Sequence, residues 1–232
     1  MAQVELLNVT KIYETGGIQA RALDDISLVI SPGEFVALVG KSGCGKSTLL
    51  NLCGAMDFST SGTVLIDGID TARLDDTALT RMRRDKIGFV FQSFQLLHTL
   101  TALENVELPL LLARKPQSRA IALERLRWVE MDSYSDRYPH QLSGGQQQRI
   151  AIARALAGSP QILLADEPTG NLDSGTGELV LQLLRKTAEN FGVSVVMATH
   201  SAEGTAVVDR IVRLRDGRIV ALESAEPART PV

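Results

Sequence analysis

The chain has 232 residues, 44% apolar and 22% charged, enough for one large domain or one domain carrying an insertion. Its net charge of −3 gives no general attraction to nucleic acid or anionic lipid. No apolar run nears the roughly 20 residues of a membrane span. The start, MAQVELLNVT, lacks a signal peptide's pattern, and Cys44 and Cys53 lack metal-ligand spacing, so a cytosolic chain without disulfides is expected.

Strand and helix patterns alternate along the chain. VELLNV (4–9) and ISLVI (26–30) are short β-leaning runs, and EFVALVG (34–40) reads as a buried strand running into a glycine. A helix is predicted over 46–56, a strand at TVLIDG (63–68), a polar helix over 75–85, and a strand at KIGFVFQ (86–92). Helical spacing takes over from 100 to 128, with Pro116 separating two helices. After LSGGQ (142–146) a helix runs to about 157. The strand QILLAD (161–166), a helix near 175–190 and the strand VSVVMATH (193–200) follow. DRIVRLRDGRIV (209–220) reads as a hairpin about Asp216–Gly217, and 223–232 as a frayed tail.

This alternation predicts an α/β fold, a mostly parallel core sheet covered on both faces. The antiparallel-looking strands at both ends suggest a mixed second layer. Residues 93–157 read as a helical insertion between core segments 1–92 and 158–222.

GKSGCGKST, Gly40–Thr48, fits G-x-x-x-x-G-K-[ST] between a predicted strand and helix. Gly40, Gly43 and Gly45 let the backbone curl so that the loop's N–H groups, from Lys41, Ser42 and Cys44 to Thr48, turn inward on a phosphate. Lys46 reaches the β- and γ-phosphates, and the Ser47 hydroxyl suits Mg²⁺. ILLADEP (162–168) ends an apolar strand in two acids. Strand neighbours point opposite ways, so Asp166 is assigned to the Mg²⁺ shell and Glu167 to polarising an attacking water. Gln92 and His200 each end a sheet strand, on the ligand side of such folds. Pattern alone does not separate ligand roles from structural ones for either, and His98 and His140 read as loop residues. LSGGQQQR, 142–149, opens a helix with Ser143, Gly144, Gly145 and Gln146, a second phosphate grip a hundred residues after the first.

These pieces, in this order from Leu6 to about Leu222, resemble the ATP-binding cassette (ABC) ATPases, P-loop NTPases with an antiparallel β layer and an inserted helical subdomain. The resemblance makes Gly40–Thr48 the Walker A loop, Gln92 the Q-loop and a Mg²⁺ ligand, and LSGGQ the signature. ILLAD becomes Walker B with Glu167 after it, Asn171–Asp173 the D-loop, and His200 the H-loop facing the γ-phosphate. Tyr13 matches the aromatic that stacks on adenine. It further implies a head-to-tail homodimer in which Ser143–Gln146 of one copy close on the ATP of the other, with Asp173 near the two-fold axis.

FQLLHTLTALENVELPLLL (94–112), RYPHQLSGGQQQR and DEPTGNLD resemble the lipoprotein-release and macrolide-export subgroup (LolD/MacB type), with the cell-division cassette FtsE nearby. That implies a peripheral subunit on the cytoplasmic face of the membrane. Its partner would be a separate permease with few membrane helices and a large extracytoplasmic domain, and no nucleic acid would be bound. An FtsE-like division ATPase and a soluble cassette acting on nucleic acid or ribosomes are the alternatives. Two departures stand out: Ser201 follows His200 where the family usually has Asp, and Cys44 lies inside the phosphate loop, where a bulky thiol reagent is expected to block ATP.

Overall fold

The computed structural model describes residues 2–225. β1 (Val4–Thr15) and β2 (Ile18–Ile30) form an antiparallel hairpin. Both strands outrun their apolar stretches, because ladder pairs such as Tyr13↔Ala20 and Glu14↔Gln19 continue through solvent-facing residues. β3 (Phe35–Val39) leads to α1 (Lys46–Cys53), which stops at Gly54, short of 56. β4 (Ser61–Ile66) and β5 (Ile69–Asp70) pair antiparallel before α2 (Asp76–Lys86), whose first turn is capped by Asp75 accepting from the Ala78 N–H. Next come β6 (Ile87–Phe91), α3 (Ala102–Leu112), α4 (Ser118–Trp128) and α5 (Gly144–Leu156). The chain continues through β7 (Ile162–Asp166), α6 (Ser174–Phe191), β8 (Ser194–Thr199) and α7 (Ala202–Thr205), and ends on the hairpin β9 (Arg210–Arg215) and β10 (Arg218–Ser224).

The strands make two sheets. One has four strands in the order β2-β1-β4-β5; the other has six, β10-β9-β3-β8-β7-β6. In the larger sheet β9, β3, β8, β7 and β6 run parallel, and β10 is an antiparallel edge. Alternation along its strands divides the interior in two. Phe35 and Ala37 of β3, Leu163 and Ala165 of β7, and Val195 and Met197 of β8 face a core shared with α3 to α6. Val36 and Leu38, Ile162 and Leu164, and Val196 and Ala198 face a core shared with α1 and the smaller sheet.

The terminal hairpin departs from expectation. It does not join the second layer: β9 pairs parallel with β3 and extends the main sheet. A hairpin specifies only the pairing between its own arms, and β9 buries Ile211 in one core and Val212 in the other as it extends the sheet beside β3. β10 continues to Ser224, past the expected start of the tail at 223; 226–232 lie outside the described residues.

Parallel pairing brings four carboxyl ends to one rim: Val39 before the phosphate loop, Phe91 before Gln92, Asp166 before Glu167, and Thr199 before His200. Four motifs scattered over 160 residues of sequence thereby meet at the place where open α/β sheets bind ligands.

Candidate active site

A cavity of about 660 Å³ opens at that rim. Lys41, Ser42, Gly43, Gly45, Lys46, Ser47 and Thr48 line one wall. Gln92, Asp166, Glu167 and His200 line the other, with Ala22 of β2 at the side. The phosphate loop is shaped from within. Gly45 caps α1 at φ 106, where a side chain is strained, and a Cβ there would lie 2.6 Å from the Ala22 carbonyl oxygen. No side chain caps α1, so its first N–H groups are left for a ligand. The buried Lys46 ammonium donates to the Gly40 and Lys41 carbonyls at 2.8 and 3.2 Å, which holds the cation within the curl. Uncapped amides, a helix N-terminus and a fixed cation together make an anion site suited to a polyphosphate.

Ser47 Oγ donates to Asp166 Oδ1 at 3.2 Å. A hydroxyl and a carboxylate in contact are hard oxygen donors of the kind that hold Mg²⁺ alongside substrate phosphates. Among the described residues no group of three or more His, Cys, Asp or Glu clusters as a protein-only metal cage.

Alternation predicted that Asp166 and Glu167 face opposite ways, yet both line the cavity. The strand ends at Asp166, and Glu167 is left-handed at φ 47, with its N–H bonded to the Ala198 carbonyl at 3.0 Å. This turn swings the Glu167 carboxylate back over the loop. One oxygen lies 4.0 Å from Lys46 Nζ; the other accepts from His200 Nδ1 at 2.8 Å. The two acids have different partners: a hydroxyl for one, a cation and an imidazole for the other.

Ser201 caps α7, its hydroxyl accepting from the Gly204 N–H at 2.9 Å, so the residue after His200 supplies the helix start without an Asp. Gln92 reaches the cavity, but its amide Nε2 donates to Asn171 Oδ1 at 3.3 Å, and Asn171 Nδ2 donates back to the Gln92 carbonyl at 3.0 Å. The strand-end glutamine is thus tied to Asn171, in the turn between β7 and α6. His98 lies in a turn, and His140 stacks on Tyr138.

Tyr13 lies beside the cavity, outside its lining. Its hydroxyl donates to Asp57 at 2.7 Å, and Lys11 sits 4.7 Å from the ring centroid while also binding Asp57. Burial, followed by the hydrogen bond to the Asp57 carboxylate, raises the Tyr13 phenol above its ordinary value. Asp57 and Ala22 were not foreseen: neither belongs to a motif, and each reaches the site only through the packing of the smaller sheet.

The Cys44 thiol is corrected. It is buried with Leu49 and Leu214 beneath the loop and is absent from the cavity lining, and its N–H donates to the Lys41 carbonyl at 3.2 Å. Bulky thiol reagents are therefore expected to spare the folded protein and its nucleotide binding. Cys53 adds no readily reactive group, since it is buried and burial pushes its pKa up to about 12. Thiol titration with and without denaturant checks this. A fast Cys44 reaction that abolishes nucleotide binding would restore the exposed-thiol geometry.

The second phosphate grip stands apart. Ser143 Oγ accepts from the Gln146 N–H at 3.3 Å and Gln146 Oε1 accepts from the Ser143 N–H at 2.9 Å, a reciprocal cap on α5. The cap uses the amides of Ser143 and Gln146. Those of Gly144 and Gly145, at the first two helical positions, have no intrahelical acceptor. A Cβ on Gly145 would lie 2.1 Å from the Thr176 methyl, so only glycine lets α5 meet α6 there. None of Ser143, Gly144, Gly145 and Gln146 lines the cavity around Lys46.

A family model described as ABC transporter matches residues 23–170. An uncharacterized ABC transporter ATP-binding protein of Methanocaldococcus jannaschii, MJ0796, is 51% identical over 222 residues, 93% of this chain and 94% of that protein. Its dimeric post-hydrolysis cassette bound to ADP and Pi superposes with a TM-score of 0.89 at 50% identity, covering 96% of this chain and 99% of that one. The lipoprotein-releasing system ATP-binding protein LolD of Anaeromyxobacter dehalogenans is 48% identical, covering 94% of this chain and 92% of LolD. The macrolide export ATP-binding/permease protein MacB of Rhodospirillum rubrum is 45% identical over 97% of this chain, which spans 35% of MacB. With the phosphate loop, the paired acids and the separate signature helix on one framework, the chain belongs to the ABC transporter family, as one of its ATP-hydrolysing cassettes.

Proposed function

We propose that two copies pack head to tail and hydrolyse ATP between them, driving a separate membrane permease of the lipoprotein-release or macrolide-export kind. The observation that carries this is the distance in role between two grips. Lys46 and the uncapped α1 already offer a polyphosphate site in one cavity, while Gly144 and Gly145 present spare amides outside it. A two-fold pair gives each spare grip the γ-phosphate of its neighbour's ATP, and both sites are completed by one operation.

In this reading Tyr13 stacks on adenine, with its ring steadied by Asp57 and Lys11. Lys41 to Thr48 wrap the phosphates, and Lys46 neutralises the β- and γ-oxygens. Ser47, Asp166 and Gln92 would hold Mg²⁺, which would supply charge neutralisation on the phosphates when bound. Glu167 orients and deprotonates the attacking water, and His200 fixes the Glu167 carboxylate and faces the γ-phosphate. Asp173 lies near the axis; its carboxylate, held below the ordinary range by the Thr176 N–H, caps α6. Residues 1–92 and 158–222 act as the core, and 93–157 as the lever that meets the permease.

No described helix is long and apolar enough to cross a membrane, which supports peripheral attachment to a partner that spans it. Cross-linking in intact membranes, followed by detergent extraction and mass spectrometry, tests the partner. The expected product is an integral-membrane protein with few spans and a large extracytoplasmic domain, whose addition changes ATP turnover by the purified chain. Recovery of nucleic acid or ribosomes instead would overturn the transport reading.

A further inference from the structure

The segment leaving Gln92 carries two consecutive non-glycine residues in the left-handed region, Phe94 at φ 59 and Gln95 at φ 49. Neither has the short polar side chain that eases this conformation, so the surroundings must hold them there. The holding group is Arg154, near the end of α5. One arm of its guanidinium donates to the Phe94 carbonyl at 2.9 Å and the other to the Gln95 carbonyl. No carboxylate among the described residues pairs with Arg154, and burial alone pulls its pKa below the ordinary value. A desolvated cation facing only two carbonyls is a demanding arrangement, and its fork geometry matches two successive carbonyls as a lysine would not.

The same helix also reaches the start of this segment. Gln148 Nε2 donates to the Pro168 carbonyl at 2.6 Å and lies 3.5 Å from the Phe91 carbonyl. Between the two grips the Phe94 ring packs on the helical core, with its Cζ only 3.5 Å from where a Cβ on Gly144 would lie. Arg154, the left-handed turn and the signature glycine therefore form one mechanical unit.

We propose that Arg154 is a positioning residue for ATP hydrolysis: by clamping Phe94 and Gln95 left-handed, it sets where Ser143–Gly145 stand relative to the catalytic rim. Without the clamp the turn relaxes to negative φ, the Phe94 ring leaves Gly144, and the signature is misplaced in the partner's site. The chain's own phosphate loop, between β3 and α1, is untouched.

Arg154→Gln is expected to lower kcat ~10-fold or more, since misplacements near 1 Å have large effects on rate. The Kd for ADP should stay within about twofold, as expected where the binding contacts are unchanged. Gln95 is exposed, so Gln95→Gly alone should leave turnover near normal. Combined with Arg154→Gln it should restore much of the lost kcat, because glycine holds a positive φ without help. Arg154→Lys, which keeps the charge without the fork, should show the same split if the glutamine variant folds poorly. Normal kcat in Arg154→Gln, or kcat and ADP affinity falling together with no recovery from glycine, would overturn the proposal. It rests on the two-fold reading above, and the two fail differently. If that reading is wrong, a mixture of Ser143→Arg and Glu167→Gln recovers no turnover; if only the clamp is wrong, that mixture recovers and Arg154→Gln is fully active.

Discussion

Glu167→Gln is expected to slow ATP turnover by about 10²–10⁴-fold, the usual range for removing a general base. ATP binding should persist. The amide is isosteric, the phosphate loop does not depend on it, and Lys46 is held by the Gly40 and Lys41 carbonyls, with Glu167 more distant at 4.0 Å. Removing the negative charge beside Lys46 should, if anything, favour the triphosphate, because one competing anion leaves the cation's neighbourhood. His200 keeps a hydrogen-bonding partner in the glutamine oxygen at the position now 2.8 Å from its Nδ1. With hydrolysis stalled, the γ-phosphate that joins two copies is not consumed, so an ATP-dependent dimer should accumulate and be visible by light scattering. Single-turnover kinetics on the purified variant supply the rate. A normal rate would remove Glu167 from the chemistry and leave its contact with His200 a structural one.

The contrast between Asp166 and Glu167 shows what the sequence makes legible. The motifs were readable because each joins a strand end to a loop, and a parallel sheet brings such ends to one rim. The division of tasks between the two acids was argued from a geometry that does not hold: period-two alternation stops with the strand, and Glu167 turns left-handed one residue beyond it. No local signal marks that turn, since the bond that fixes it comes from Ala198 in another strand. Cys44 misled for the same reason. Its position in the loop was plain, but the direction of its side chain depends on how the loop sits over Leu214 of β9, far away in sequence. The Tyr13–Asp57 pair spans 44 residues, and Arg154 reaches back about 60 to the turn at Phe94. Such contacts are set by tertiary packing, which propensity and spacing do not encode. The terminal hairpin likewise revealed its own register and nothing of the strand it would join.

Ser143→Arg separates a grip that works within one copy from one that works between two. Serine at this position caps α5, and losing that hydroxyl costs about 1 kcal/mol, roughly 2–4 °C in Tm for a chain of this size. The larger effect is steric. Ser143 is exposed at the helix start, next to Gly144 and Gly145, whose amides have no intrahelical acceptor. An arginine there fills the approach and places a cation where the helix N-terminus already carries partial positive charge. If the grip completes a neighbour's site, the isolated chain should bind ADP as before, since none of the residues around Lys46 changes. ATP turnover should fall by about 10²-fold or more, as expected when a group that orients the reacting phosphate is displaced. Mixing this variant with Glu167→Gln sharpens the test. A head-to-tail pair of the two holds one composite site with both lesions and one with neither, so the mixture should recover turnover that each variant lacks alone. Recovery has no explanation if the signature serves its own chain. ADP binding lost by the isolated Ser143→Arg chain, or a mixture as inactive as its parts, would return the signature to the cavity of its own copy.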